Sequence, residues 1–149
     1  MAWLKTKNTK ARLWRSPQSS RLPITSPYGG LLNRGAVYSA RLDPAEGSEQ
    51  SGKRPVIVIS RNAINRSSPV VVVVPCTTYR SHRKIYPSQT LIKAPDGGLR
   101  ADSIALGEQV RSIAKTRLGK KWGTLSAAAL KEVERALLTT LDLPGQGSF

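Results

Sequence analysis

The side chains best suited to chemistry in this chain are arginines, threonines and a strongly basic surface, and Arg54 leads them. It lies in the stretch Gly47 to Ser60, where a polar loop runs through Lys53, Arg54 and Pro55 into the apolar run Val56 to Ile59. Gly47 and Gly52 allow the loop to bend and move. Pro55 lacks an N–H and belongs at the first position of a strand, which puts Arg54 at the strand's mouth with a stiff sheet to aim it. A guanidinium held there suits forked hydrogen bonding to a phosphate or a carboxylate. A merely solvated arginine at a strand start is the plainer alternative, and this stretch alone leaves it open.

Elimination narrows the chemistry. The one histidine, His82, lies among Arg80, Arg83 and Lys84, so no two-histidine acid–base pair forms within a subunit, and a solvated loop residue is the first reading. The one cysteine, Cys76, sits in an apolar run and reads as a buried, inert thiol. It cannot close an internal disulfide, which fits a reducing cytoplasm. No Cys/His cluster suits zinc, the nine carboxylates are scattered, and neither a Walker loop nor a GxGxxG turn is present. No metal and no cofactor are therefore expected. If the protein is an enzyme, its transition state must be one that cations and hydroxyls stabilise. Cleavage of RNA by its own 2′-hydroxyl qualifies: the substrate supplies the nucleophile, and the protein orients it and neutralises the phosphorane.

Composition agrees with a polyanionic partner. Lys and Arg number 24 against nine Asp and Glu, a net charge of +15 over 149 residues, which favours nucleic acid, an anionic membrane or an acidic protein. No apolar stretch reaches the roughly 18 residues of a membrane span. Residues 1–34 hold seven basic residues and no acidic one, broken by Ser, Pro and Gly. They read as a disordered basic arm. It could be an RNA- or membrane-touching arm, an organelle transit peptide, or, ranked first, translated sequence upstream of the true domain. The expected domain, residues 35–149, keeps 17 basic residues and a charge of +8.

The elements that must position these groups are short. Val37 to Leu42 alternates as a half-buried strand ending at Asp43-Pro44, and the loop Ala45 to Lys53 precedes the strand Val56 to Ser60. Asn62 to Ser68 is a turn or a single helical turn. Five valines, Val70 to Val74, predict a strand buried on both faces and ended by Pro75. Cys76 to Lys84 reads as an exposed basic loop, Ile85 to Ala94 as a strand with an edge or bulge at Pro87, and Asp96-Gly97-Gly98 as a hairpin turn. Ser103 to Leu106 and Gln109 to Ile113 are two further strands, and Lys115 to Gly123 is a basic segment. One helix closes the chain, with Ser126 as N-cap, an apolar face of Leu130, Val133, Leu137 and Leu141, and Pro144-Gly145 as its stop. The sum is an α+β, mainly β domain: a small SH3-like or CcdB-like, partly open barrel of five to seven short antiparallel strands with a C-terminal helix.

Several motifs follow one another at domain scale: Arg-Gly-x-Val-Tyr at 34–38, Gly-Ser-Glu-Gln-x-Gly-x-Arg-Pro at 47–55, Val-Pro-Cys-Thr-Thr at 74–78 and Gln-Val-Arg-Ser-Ile at 109–113. With the leucine-rich closing helix, residues 34 to about 143 resemble a MazF/PemK-type toxin, the endoribonuclease half of a bacterial toxin–antitoxin pair. The resemblance implies a cytoplasmic homodimer that cuts single-stranded RNA sequence-selectively without a metal, restrained by an acidic antitoxin protein. It implies Arg54 and Thr77 as the catalytic pair, Arg54 on the phosphorane and leaving group and Thr77 on the scissile phosphate. Glu49 is the weaker candidate for activating the 2′-hydroxyl. Gln50, Lys53 and Thr78 would line the substrate groove, and Arg83 and Lys84 would extend it. Ala36 departs from the family, which usually carries an acidic residue there.

Two other functions compete. A toxin of the same fold that poisons DNA gyrase would act through a C-terminal tryptophan, whereas here the last tryptophan is Trp122 and the end is Phe149. A basic nucleic-acid-binding barrel without chemistry would stack bases on surface aromatics, yet aromatic residues make up only 5% of the chain.

Overall fold

Strands form where β-branched and aromatic residues run between glycine and proline breaks, and each is too short to bury a face alone. The computed structural model describes residues 32–145. Its strands are β1 (Ala36–Arg41), β2 (Lys53–Val58), β3 (Val70–Thr78), β4 (Gln89–Ile92), β5 (Ser103–Leu106), β6 (Arg111–Ala114) and β7 (Leu118–Thr124). Helix α1 (Asn62–Ser67) joins β2 to β3, and α2 (Ala127–Leu141) follows β7. All pairings are antiparallel, in the order β4-β5-β3-β2-β1-β7, with β6 also paired to β3. This open, mainly β sheet with a C-terminal helix is the expected fold class.

The sheet buries both faces. On one lie Tyr38, Ala40, Leu42, Val56, Val58, Val71 and Val73 with Ile113 and Leu118. On the other lie Val37, Ile57, Val74, Cys76 and Ala105, covered by Val133 of α2 with Leu130 and Leu137 beside it. Each such aliphatic side chain contributes roughly 1.5–3 kcal/mol when fully buried. β1 is therefore buried on both sides rather than half-buried. Among the valines, Val71, Val73 and Val74 are buried, while Val70 is 39% exposed.

Five expectations are corrected. β3 does not end at Pro75 but runs to Thr78, because it changes neighbour there: Val70–Val73 pair with β6 and Cys76–Thr78 with β5. Cys76 is thereby a strand residue, fully buried. The strand expected at Ile85 to Ala94 shrinks to Gln89–Ile92, leaving Pro87 outside it. Asp96–Gly98 is a 3-10 turn within a longer connection between β4 and β5, not a two-residue hairpin. The basic segment Lys115 to Gly123 contains β7, which pairs with β1 through irregular register. Its glycines allow the approach, since a Cβ on Gly119 would lie 2.5 Å from Ser39 Oγ.

α2 starts as expected, with Ser126 Oγ accepting the Ala129 N–H at 3.2 Å. It stops earlier than Pro144: Asp142 takes a left-handed conformation, and the Leu143 N–H donates to Leu138 O at 3.0 Å. Leu141, expected on the apolar face, is 53% exposed. The expected arm lies outside the described residues apart from its last three. Of these, Leu32 is buried, and Arg34 donates to Ile59 O at 2.9 Å and pairs with Glu134 at 2.8 Å. Among the described residues no helix is long and apolar enough to cross a membrane.

Candidate active site

The site begins where two strands part. The Leu42 N–H donates to Gly52 O at 2.9 Å and the Ile59 N–H to Val72 O at 2.9 Å. With the registers of β2 against β1 and β3, these bonds turn the Pro55 nitrogen away from β1 and toward β3. The next pair, Pro55 with Cys76, can make only one of its two bonds, because proline lacks an N–H. The last β2–β3 pair is Val56↔Pro75. Pro55 is thus inside β2, opposite Ser39, rather than at its first position, and Arg54 is a strand residue opposite Ala40.

Arg54 and Thr77 lie just past this fork. Arg54 is two residues before Val56 and Thr77 two after Pro75, so both stand on the same face of the sheet, on facing sides of the opening. Both are partly exposed. The Arg54 Nε–H donates to Ser51 O at 3.0 Å, which fixes the plane of the guanidinium. No hydrogen bond or ion pair engages Nη1 or Nη2 among the described residues, so both remain uncommitted. Thr77 is held opposite Ile104 of β5, and its hydroxyl is likewise uncommitted. Next to Thr77 but on the other face, in the core beneath α2, burial pushes the Cys76 thiol up to about 12, so it stays protonated and takes no part as a nucleophile.

The loop from β1 to β2 is braced rather than loose. Gly52, at φ +73°, gives its N–H to Asp43 Oδ1 at 3.0 Å. Gln109 grips the middle: its Oε1 accepts the Gln50 N–H at 3.3 Å and its Nε2 donates to Ser48 O at 3.2 Å. Glu49 caps the loop's own turn, its Oε2 accepting the Glu46 N–H at 3.0 Å. Its carboxylate is occupied there and makes no contact with Arg54 or Thr77.

Of the other sequence-derived candidates, Lys53 is next to Arg54 on β2 but on the opposite face, and Thr78 is exposed at the end of β3. Arg83 and Lys84 sit in the exposed connection after β3, with the Lys84 ammonium 5.3 Å from the centre of the Tyr86 ring. No recorded contact ties them to the fork. His82 is exposed in the same connection.

Gln109 as a loop brace is not foreseen from the sequence, which shows it only as the start of a strand and of the motif at 109–113. Arg100, Lys120 and Trp122, which share a cleft with Lys53 and Arg54, are not foreseen either. The only signal was a tryptophan directly after two lysines.

The family described as PemK-like, MazF-like toxin of type II toxin–antitoxin system matches residues 33–141. Endoribonuclease MazF9 of Mycobacterium tuberculosis is 40% identical over 118 residues, covering 76% of this chain and 98% of that protein. Endoribonuclease MazF of Staphylococcus saprophyticus is 40% identical over 113 residues, 76% of this chain and 93% of that one. Among solved structures, a mycobacterial endoribonuclease in complex with its cognate antitoxin superposes with a TM-score of 0.64 at 28% identity, over 76% of this chain and 98% of that one. MazF of Deinococcus radiodurans shares the fold, with a TM-score of 0.66 at 24% identity over 77% of this chain and all of that one.

Proposed function

The chain belongs to the PemK-like, MazF-like toxins of type II toxin–antitoxin systems, and from that premise we propose that it is an endoribonuclease cutting single-stranded RNA at the β2–β3 fork, selectively for sequence and without a metal. The observation that supports this reading is the opening after Val56↔Pro75, with Arg54 and Thr77 on one face of the sheet at its two sides and the Nη1 and Nη2 donors of Arg54 uncommitted. The 2′-hydroxyl of the substrate gives up its proton and attacks the neighbouring phosphorus while the bond to the departing 5′-oxygen breaks, and that oxygen takes up a proton from water. The products are a 2′,3′-cyclic phosphate and a 5′-hydroxyl. Arg54 donates from Nη1 and Nη2 to the phosphorane oxygens and the leaving oxygen, where charge develops. Thr77 donates its hydroxyl to a non-bridging oxygen of the same phosphate.

Glu49 serves as base only if its carboxylate leaves the Glu46 N–H. Gln50, Lys53 and Thr78 line the approach, and Arg83 and Lys84 extend it along the backbone of the RNA. The protein works as a homodimer in the cytoplasm. Its antitoxin is an acidic, partly disordered segment that folds over the fork and lays carboxylates where phosphates would lie. The arm and domain divide near residues 32–34, where Leu32 is already buried.

Purified protein should cut single-stranded RNA in excess EDTA and leave cyclic phosphate ends. Cutting that requires added magnesium would overturn the proposed chemistry. Co-expression with the product of the adjacent reading frame should abolish cutting, and raised salt should weaken the inhibition.

A further inference from the structure

We propose that a cleft beside Arg54 is a second binding site, taking one nucleotide of the single-stranded RNA away from the bond being cut, its phosphate on Lys53 and Lys120 and its base on Arg100 and Trp122. The proposal rests on the endoribonuclease reading above. The cleft measures about 280 Å³ and lies over Ser39 and Pro55, which face each other across β1 and β2. Lys53, Arg54, Arg100 and Lys120 surround it, and no carboxylate lines it. Among the described residues the ion pairs are Arg34 with Glu134 and Arg135 with Glu132, so none of these four cations is neutralised. Like charges gathered without counter-charge around a concave surface concentrate a positive potential there.

Charge alone would suit any anion; the wall of the cleft is more particular. The Arg100 guanidinium carbon is 4.9 Å from the centre of the Trp122 ring, a cation held on an aromatic system. Such surfaces hold unstacked bases. The pair is built on locked backbone. Gly98, at φ +75°, packs so closely that a Cβ would lie 2.1 Å from the Trp122 carbonyl oxygen, and one on Gly123 would lie 2.8 Å from the Gly97 backbone. Leu99, beside Arg100, is buried. The floor includes the small side chain of Ser39, against which Gly119 of β7 packs closely. A nucleotide answers both the phosphate-seeking lysines and the flat cationic wall. An acidic peptide would answer the charge and leave the wall unused. Arg54 borders the cleft, whose floor of Ser39 and Pro55 lies on the face opposite Thr77, so an RNA strand engaged at Thr77 reaches the cleft by crossing the edge of β2.

The test uses the full chain and an uncleavable probe, a 2′-O-methyl RNA of mixed sequence and about 20 nucleotides, with binding followed by fluorescence anisotropy across a salt series. Lys120→Ala and Arg100→Ala alter exposed side chains and should keep the wild-type melting temperature. Each should weaken binding about tenfold, and Lys120→Ala should also flatten the slope of log K against log salt by about 0.7, the loss of one phosphate contact. Unchanged affinity and slope in both variants would overturn the proposal. So would weakened inhibition by the co-expressed acidic protein with RNA binding intact, which would make the cleft a protein-docking surface. Wild-type cleavage of unmodified RNA, run alongside, separates these outcomes from a failure of the endoribonuclease reading itself.

Discussion

Replacing Arg54 with alanine separates catalysis from folding more cleanly than any other single change. The folded state loses little: one hydrogen bond, from Nε to Ser51 O at an exposed position, is worth about 0.5–1.5 kcal/mol and sits at the low end when water can replace it. No ion pair is broken, and Ala40 and Ser39 opposite β2 keep their backbone partners. Against several kcal/mol of total stability, the variant stays folded. Under the proposed mechanism the transition state loses the uncommitted Nη donors. A single preorganised donor of this kind is worth about 2.7–4 kcal/mol, which at about 1.36 kcal/mol per tenfold is a fall of roughly 10²–10³ in rate. Arg54→Lys keeps the charge without the fork of donors and should recover only part of that loss. The assay is kcat/KM on a fluorogenic single-stranded RNA in EDTA, with a thermal melt on the same samples. A rate within threefold of wild type at an unchanged melting temperature would show that Arg54 is not the donor to the phosphorane.

Thr77→Val keeps the β-branched shape opposite Ile104 and removes only the hydroxyl, so cleavage should fall at least about tenfold with an unchanged melt. Cys76, with its thiol pushed up to about 12 by burial, should resist iodoacetamide at neutral pH until the protein unfolds. Because the folded thiol holds its proton and the unfolded one releases it near 9, the native state binds more protons in the window from about 9 to 12. Stability should therefore drop as pH rises through that window, and Cys76→Ala should lack this component of the drop in pH-dependent melts. Gly98→Ala forces a Cβ against the Trp122 carbonyl at positive φ and should cost about 3 kcal/mol, lowering Tm on the order of 10 °C. A chain beginning at residue 32 should melt within a few degrees of the full chain. One beginning at residue 36 should lose about 3 kcal/mol in urea titration, through Leu32 and the Arg34 contacts.

What the sequence revealed was decided by local rules. Ser126 capped its helix and the Leu130–Val133–Leu137 face met the sheet, because capping and helical spacing act within a few residues. Motif order singles out Arg54 and Thr77, but the parting of β2 and β3 that sets them at the two sides of an opening is decided by pairing register and cannot be read locally. Proline signals misled in both directions. Pro55 and Pro75 were read as strand boundaries, yet both lie inside strands, where each nitrogen falls at a gap in the ladder. β7 was hidden because its partner demands small residues and tolerates lysines on the open side, so hydrophobic alternation is missing. Gln109 could not be read at all, since its grip on Gln50 and Ser48 spans about sixty positions and leaves no local trace.

The parting of β2 from β3 beside Pro55 has a consequence for the protein's life among other proteins. Past Val56, one side of β2 has no neighbouring strand, and an unpaired strand edge is a template on which a foreign strand can grow. Here that edge offers a proline with no donor and, beside it, the uncompensated charges of Lys53 and Arg54. Proline and charge are the means by which natural sheets blunt such edges. Under the proposed function the three residues that border the opening to RNA also protect it from edge-to-edge aggregation, and replacing Pro55 and Lys53 together with β-branched residues would surrender solubility.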